Sequence, residues 1–166
     1  VLEDLGCMNN GYARAKELLI KYAKAYPEYI EHGPNAGTGK LMPQGLSEAT
    51  WMLKVAQVYR ELDKNGELNK EDKTLIQDNM FRPAMGILQR QTGRVHNIDT
   101  WIASGLVSLG LICSKESAVR TGSRIVKRNM EEGILPGGMW YEISPGYHFY
   151  TLNALLSYEW AMAHHG

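Results

Sequence analysis

Asn97-Ile-Asp-Thr-Trp-Ile-Ala-Ser-Gly-Leu-Val-Ser-Leu-Gly-Leu-Ile112 decides the fold class. Ile98, Trp101, Ile102, Gly105, Leu109 and Ile112 recur at the three- and four-residue intervals of one helix face, and no strand-like alternation competes with them. Working outward, the same rhythm predicts helices from about Gly11 to Ala25, Ser47 to Leu62, Lys70 to Arg90, Lys115 to Met130 and His148 to His164. Several starts carry residues that satisfy or favour exposed helix-start amides: Ser47, Asn69 with Asp72 three positions on, Asn97, and Ser114 with Glu116 in the first turn. Asn65-Gly66 marks a tight turn, and Pro83 predicts either a kink or two shorter helices meeting inside the third long segment. The chain therefore reads as all-α, with helix pairs set side by side as in a solenoid or toroid, although no clean internal repeat is visible.

The 166 residues, 44% of them hydrophobic, suffice for one domain with a substantial core. Lys plus Arg balances Asp plus Glu at 18 each, so no global field draws the chain to nucleic acid, and any affinity for a polyanion has to be local. The longest apolar stretch, Ile102 to Cys113, is too short and too interrupted to span a membrane. Cys7 and Cys113 lack metal-ligand spacing and read as buried or free thiols. The chain opens on Val1 with no basic-then-apolar leader, so a signal or upstream segment could have been removed.

Two loops are too long and too rich in Gly and Pro to be simple spacers: His32 to Lys40 and Gly133 to Gly146. The first superficially matches a phosphate-binding loop, but Leu41 follows Lys40 where Ser or Thr is needed and no apolar strand precedes it, which argues against nucleotide binding. Gln44 precedes a helix that carries Glu48 in its first turn, and both have an ordinary reading as loop and helix-start residues. Asn97 can be explained as a cap; a side-chain amide at a helix start is equally a place for a carboxylate, because free backbone amides and the helix dipole favour an anion there. Tyr147, His148 and Tyr150 follow a Pro-Gly turn, with Tyr147 and Tyr150 on one helix face. Three polar-tipped rings beside a Gly-rich loop, with Trp140 and Tyr141 in it, point to a site.

Three segments in order, Gln44-Gly-Leu-Ser-Glu-Ala49, Asn97-Ile-Asp-Thr-Trp101 and Gly138-Met-Trp-Tyr-Glu-Ile-Ser-Pro-Gly-Tyr-His-Phe-Tyr150, resemble the alginate-lyase and heparinase II/III-like polysaccharide lyases. The resemblance runs from about Gln44 to the end of the chain. It implies an incomplete (α/α) toroid, of which residues 1–166 would be a part, with the remaining helices and a C-terminal β-sandwich outside this chain. It implies catalytic roles for Asn97, Tyr147 and His148, and a sugar cleft lined by Gln44, His96, Trp140 and Tyr150. Some relatives carry His directly after the motif asparagine; here Ile98 stands there and His96 precedes it. The resemblance further implies an acidic polysaccharide or oligosaccharide as partner, with alginate first and heparan- or hyaluronan-type polymers next. No metal or other cofactor is expected, no membrane insertion, and a periplasmic or secreted location follows from polymer substrates. Apolar surface left by absent helices would favour self-association, including a homo-oligomer.

The chemistry suits those residue types. A lyase removes the C5 proton beside a uronate carboxylate and expels the C4 oxygen; hydrogen bonds from an amide or imidazole to that carboxylate stabilise the enolate-like transition state. A phenol with an ordinary pKa of about 10 is a ready acid for the leaving oxygen and needs a neighbour to serve as base. His148 could tune or orient Tyr147. Two other readings compete: a toroidal glycoside hydrolase, which needs two acids across the cleaved bond and has Glu48, Asp99 and Glu142 to draw on, and a non-catalytic helical module stacking sugars on Trp140, Tyr141 and Tyr147.

Overall fold

The computed structural model describes residues 8–33 and 38–164, with side chains from residue 11 onward. The described chain is all-α. Its helices are α1 (Met8–Ala25), α2 (Gly45–Lys64), α3 (Lys70–Ile76), α4 (Arg82–Gln89), α5 (Asn97–Ile112), α6 (Glu116–Gly133) and α7 (Pro145–Ala163). A π-helical turn, Gln77–Phe81, joins α3 and α4 into one rod, so the described residues form six rods. Among the described residues the extended pairing is a single isolated bridge between Ile134 and Trp140.

The π turn resolves the choice posed by Pro83. Proline lacks an N–H and its ring crowds the carbonyl four residues back, which would break an α-ladder. One extra residue is wound in instead: the Arg82 amide donates to the Gln77 carbonyl, five positions back, and Pro83 enters α4 in its first turn, where its missing donor costs least.

Helix α5 is the axis of the core. It packs against α2, α4, α6 and α7, and Ile102 through Leu111 are all buried. The single apolar face read from the sequence therefore undercounts its burial: Ala103, Leu106 and Val107 on the other sides are enclosed too, and the small residues among them let neighbouring helices approach. On α6, a Cβ at Gly122 would stand 2.7 Å from the Ala103 carbonyl oxygen and 2.6 Å from a Val107 methyl, so glycine sets how close α5 and α6 lie.

The boundaries move in physically informative ways. The box at Asn69 forms as expected, with Asn69 Oδ1 accepting from the Asp72 amide and the Asp72 carboxylate accepting in return. Ser47 does not start its helix; α2 begins two residues earlier, after Gln44, and the first-turn Glu48 carboxylate folds back onto the amides of Lys40, Leu41 and Met42. Ser114 is not a cap either: it ends the α5 side of the turn with φ of 52°, and Lys115 precedes α6. Helix α7 starts three residues before His148, because Ser144 caps it and Pro145 occupies its first turn.

Helices α2, α5 and α7 run in the same direction, since their starts line one cleft and their ends line another. That arrangement is compatible with part of an (α/α) toroid. Helix α7 is covered on one side by α5, while Phe149, Leu152, Leu156 and Met162 are exposed on it. No described helix is long and apolar enough to cross a membrane. Cys7 and the 34–37 part of the first Gly-rich loop lie outside the described residues; around that part, the His32 amide donates to the Gly39 carbonyl. Cys113 is buried where α5 ends, and burial pushes its thiol up to about 11.

Candidate active site at three helix starts

Leu46 from α2, His96, Asn97 and Ile98 from the start of α5, and Glu142, Ser144, Gly146, Tyr147 and Tyr150 from the loop and first turns of α7 line one open cleft of about 530 Å³. Three helix N-termini thus face it. Each turns the positive end of its dipole toward it, while the Ile98 and Tyr147 amides are taken by His96 and Ser144 and the lining holds the Glu142 carboxylate but no lysine or arginine.

Asn97 is the first helical residue rather than the cap. His96 takes the capping role: its backbone is extended, and its Nδ1 accepts from the Ile98 amide at 3.2 Å. The Asn97 side chain is thereby released from local duty. It is nearly fully buried, and its Nδ2 donates to Glu142 Oε2 at 2.7 Å, 45 residues along the chain. The same carboxylate oxygen accepts the Trp140 indole N–H at 2.6 Å.

Tyr147 lies in the first turn of α7, where the Ser144 hydroxyl accepts from its amide at 3.5 Å. Its side chain is 51% exposed, so the phenol is reachable from the cleft. Tyr150, one turn on, packs on Trp101 of α5 with ring centroids 5.1 Å apart, which ties the two site helices together. Burial raises the Tyr150 phenol above its ordinary value.

Of the residues singled out in sequence, His96, Asn97, Tyr147 and Tyr150 meet at this cleft. The others sit differently. His148 points toward the Gly-rich loop, where its Nδ1 accepts from the Trp140 amide at 3.3 Å. Trp140 is buried against the end of α6, where a Cβ on Gly133 would come within 2.3 Å of its ring, so it supports Glu142 instead of offering a stacking face. Gln44 is exposed just before α2, beside the cleft residue Leu46, and is not itself among the lining residues.

The three carboxylates considered for hydrolysis do not form a pair across a bond. Glu48 is fully buried and accepts from the Tyr26 hydroxyl at 2.7 Å as well as from three amides. Asp99 is likewise enclosed, holding the Gly93 and Arg94 amides. Only Glu142 of the three reaches the cleft. Among the described residues no three His, Cys, Asp or Glu side chains converge as metal ligands would.

An all-α fold with a buried amide and an exposed phenol at converging helix starts sits in a chain distantly related to an alginate lyase. The relative is an exo-oligoalginate lyase of Saccharophagus degradans, 29% identical in an alignment 153 residues long that takes in 83% of this chain. The chain spans 20% of that relative's length. No protein-family model matches it.

Proposed function

We propose that this chain is part of the helical catalytic domain of a polysaccharide lyase that cleaves a uronate polymer by β-elimination, with alginate as the first substrate to try. The observation that carries the reading is the convergence of the Asn97 amide and the Tyr147 phenol in a cleft faced by three helix N-termini. The distant similarity to an exo-oligoalginate lyase supports it independently.

In this reading the uronate carboxylate sits against the helix starts and the free N–H of Asn97. As the C5 proton passes to a general base, charge grows on the carboxylate oxygens, and donors already in place there lower the barrier more than they favour the ground state. The Tyr147 phenol protonates the departing C4 oxygen as that C–O bond breaks and the C4–C5 double bond forms. His96, at the rim of the same cleft, supplies a second polar contact to the sugar. Exported location and an acidic polysaccharide partner go with this reading.

The test mixes purified protein and its Tyr147→Phe variant with a panel of uronate polymers and follows the ultraviolet absorbance of the unsaturated uronate product. A rise with one polymer that vanishes in the variant is the expected result. New reducing ends without that absorbance would replace elimination by hydrolysis.

A further inference from the structure

We propose that Glu142 is a positioning residue for Asn97: its carboxylate fixes which end of the asparagine amide faces the cleft, and Trp140, seated in the space left by Gly133, holds that carboxylate in place. The kinetic part of this inference rests on the lyase reading above; the geometric part does not.

The argument starts from donor inventory. An ionised carboxylate only accepts hydrogen bonds, so of the two ends of the Asn97 amide only the nitrogen can face it; rotating the amide would set two acceptors against each other. One Nδ2 hydrogen is committed to Glu142 at 2.7 Å, and the other is the donor left for a ligand. Without the carboxylate, both orientations of the amide become open and its donor is no longer held in one position toward the cleft.

Glu142 is itself over-determined. Oε2 takes a second bond from the Trp140 indole at 2.6 Å, and the Trp140 ring rests where any side chain at position 133 would collide with it. The turn is pinned from the other side by the Tyr141 hydroxyl, which donates to the Val95 carbonyl at 3.0 Å, one residue before His96. Ile143, next along, adopts φ of 51°, a left-handed conformation that a β-branched side chain resists, while its amide donates to the Trp140 carbonyl at 3.0 Å. Strain held in a short turn that aims a side chain is a device found at sites, where the surrounding contacts maintain it. A negative group in the wall also opposes an anionic ligand, so binding alone does not account for it.

The experiment combines kinetics with side-chain resonances of Asn97 and the Trp140 indole, in wild type, Glu142→Ala, Glu142→Gln and Trp140→Phe. Glutamine keeps an oxygen that can accept both N–H bonds, so Glu142→Gln is expected to hold kcat within about 3-fold, with KM equal or lower because a charge has gone. Glu142→Ala is expected to lose about 10- to 100-fold in kcat with KM little changed, the size of effect that loss of a supporting hydrogen bond has on a reacting group. Its Asn97 side-chain amide resonances should move, and those of Glu142→Gln should stay near wild type. Trp140→Phe, which keeps the packing and removes one N–H, should fall between them and carries the test if Glu142→Ala does not fold. Equal kcat in Glu142→Ala and wild type, or equal loss in all three variants, overturns the proposal. If wild type turns over no uronate polymer, the lyase reading fails and the resonances decide alone: an unmoved Asn97 amide in Glu142→Ala then sinks the positioning role.

Discussion

The two ends of the parallel helices α2, α5 and α7 differ in what their polar groups do. At the C-terminal end lies the larger cleft, about 750 Å³, lined by residues that include Arg60, Trp160 and His164. There Arg60 donates to the carbonyls of Ala161 and His164, closing the end of α7, and its guanidinium lies over the Trp160 ring. Lys73 pairs with Asp63, and Gln77 donates to the Tyr59 hydroxyl. Most polar groups of that end are spent on the scaffold's own carbonyls and partners, and the two Arg60 nitrogens that are not, Nε and Nη2, are buried rather than turned to open space. At the N-terminal end the cleft is smaller, about 530 Å³, yet the Tyr147 phenol is reachable and one Asn97 N–H is uncommitted. The comparison teaches that size is a poor guide to a site; unspent donors facing open space are a better one.

The sharpest way to break this contrast is Tyr147→Phe, expected to reduce uronate elimination by at least about 100-fold while leaving the melting temperature essentially unchanged. At the opposite end, Arg60→Ala should do the reverse: stability should fall by about 1–2 kcal/mol through lost carbonyl bonds and stacking, measured by urea unfolding, with turnover per folded molecule unaltered. Turnover that follows Arg60 rather than Tyr147 would exchange the roles of the two ends. A smaller effect sharpens the picture at the loop: Ile143→Asn, which tolerates the left-handed backbone, should stabilise the protein by about 1 kcal/mol. No gain there would mean that the turn is not under strain.

Acidity offers a further, milder probe. The Tyr26 phenol is held well above its ordinary value by burial first and by the Glu48 carboxylate second. Because the unfolded chain releases this proton at about pH 10 and the folded chain only at higher pH, the contribution is complete below that pH and is lost as pH rises further. Unfolding midpoints followed by circular dichroism should therefore drop more steeply above about pH 10 in wild type than in Tyr26→Phe.

Much of the architecture was legible because it depends on local spacing. The Asn69 and Asp72 box and the apolar rhythm of α5 both act within one or two helical turns, whereas the Ser144-Pro145 start of α7 was missed by three residues. The π turn was not legible: a proline announces a conflict with the α-ladder, but the register by which the chain resolves it depends on packing of the whole rod. The meeting of Asn97 with Tyr147 and Tyr150 came through resemblance and not through spacing. Glu142 was noticed only as a potential acid. Its bond to Asn97 spans 45 positions, and no periodicity encodes such a pairing. Trp140 and His148 sit outside the lining of the cleft, and spacing could not place them: a polar-tipped ring looks the same in sequence whether its tip meets a ligand or a neighbouring loop.

Asn97 and Tyr147 stand on helices of unequal firmness. Helix α5 is enclosed on every side, whereas α7 rests on it along one face and shows Phe149, Leu152 and Leu156 to the outside. Half of the cleft is thus anchored in the core and half is carried by a helix packed mainly along one face. A shift of α7 on α5 would alter the gap between amide and phenol, so contacts made on the outer face of that helix bear on the cleft without touching it.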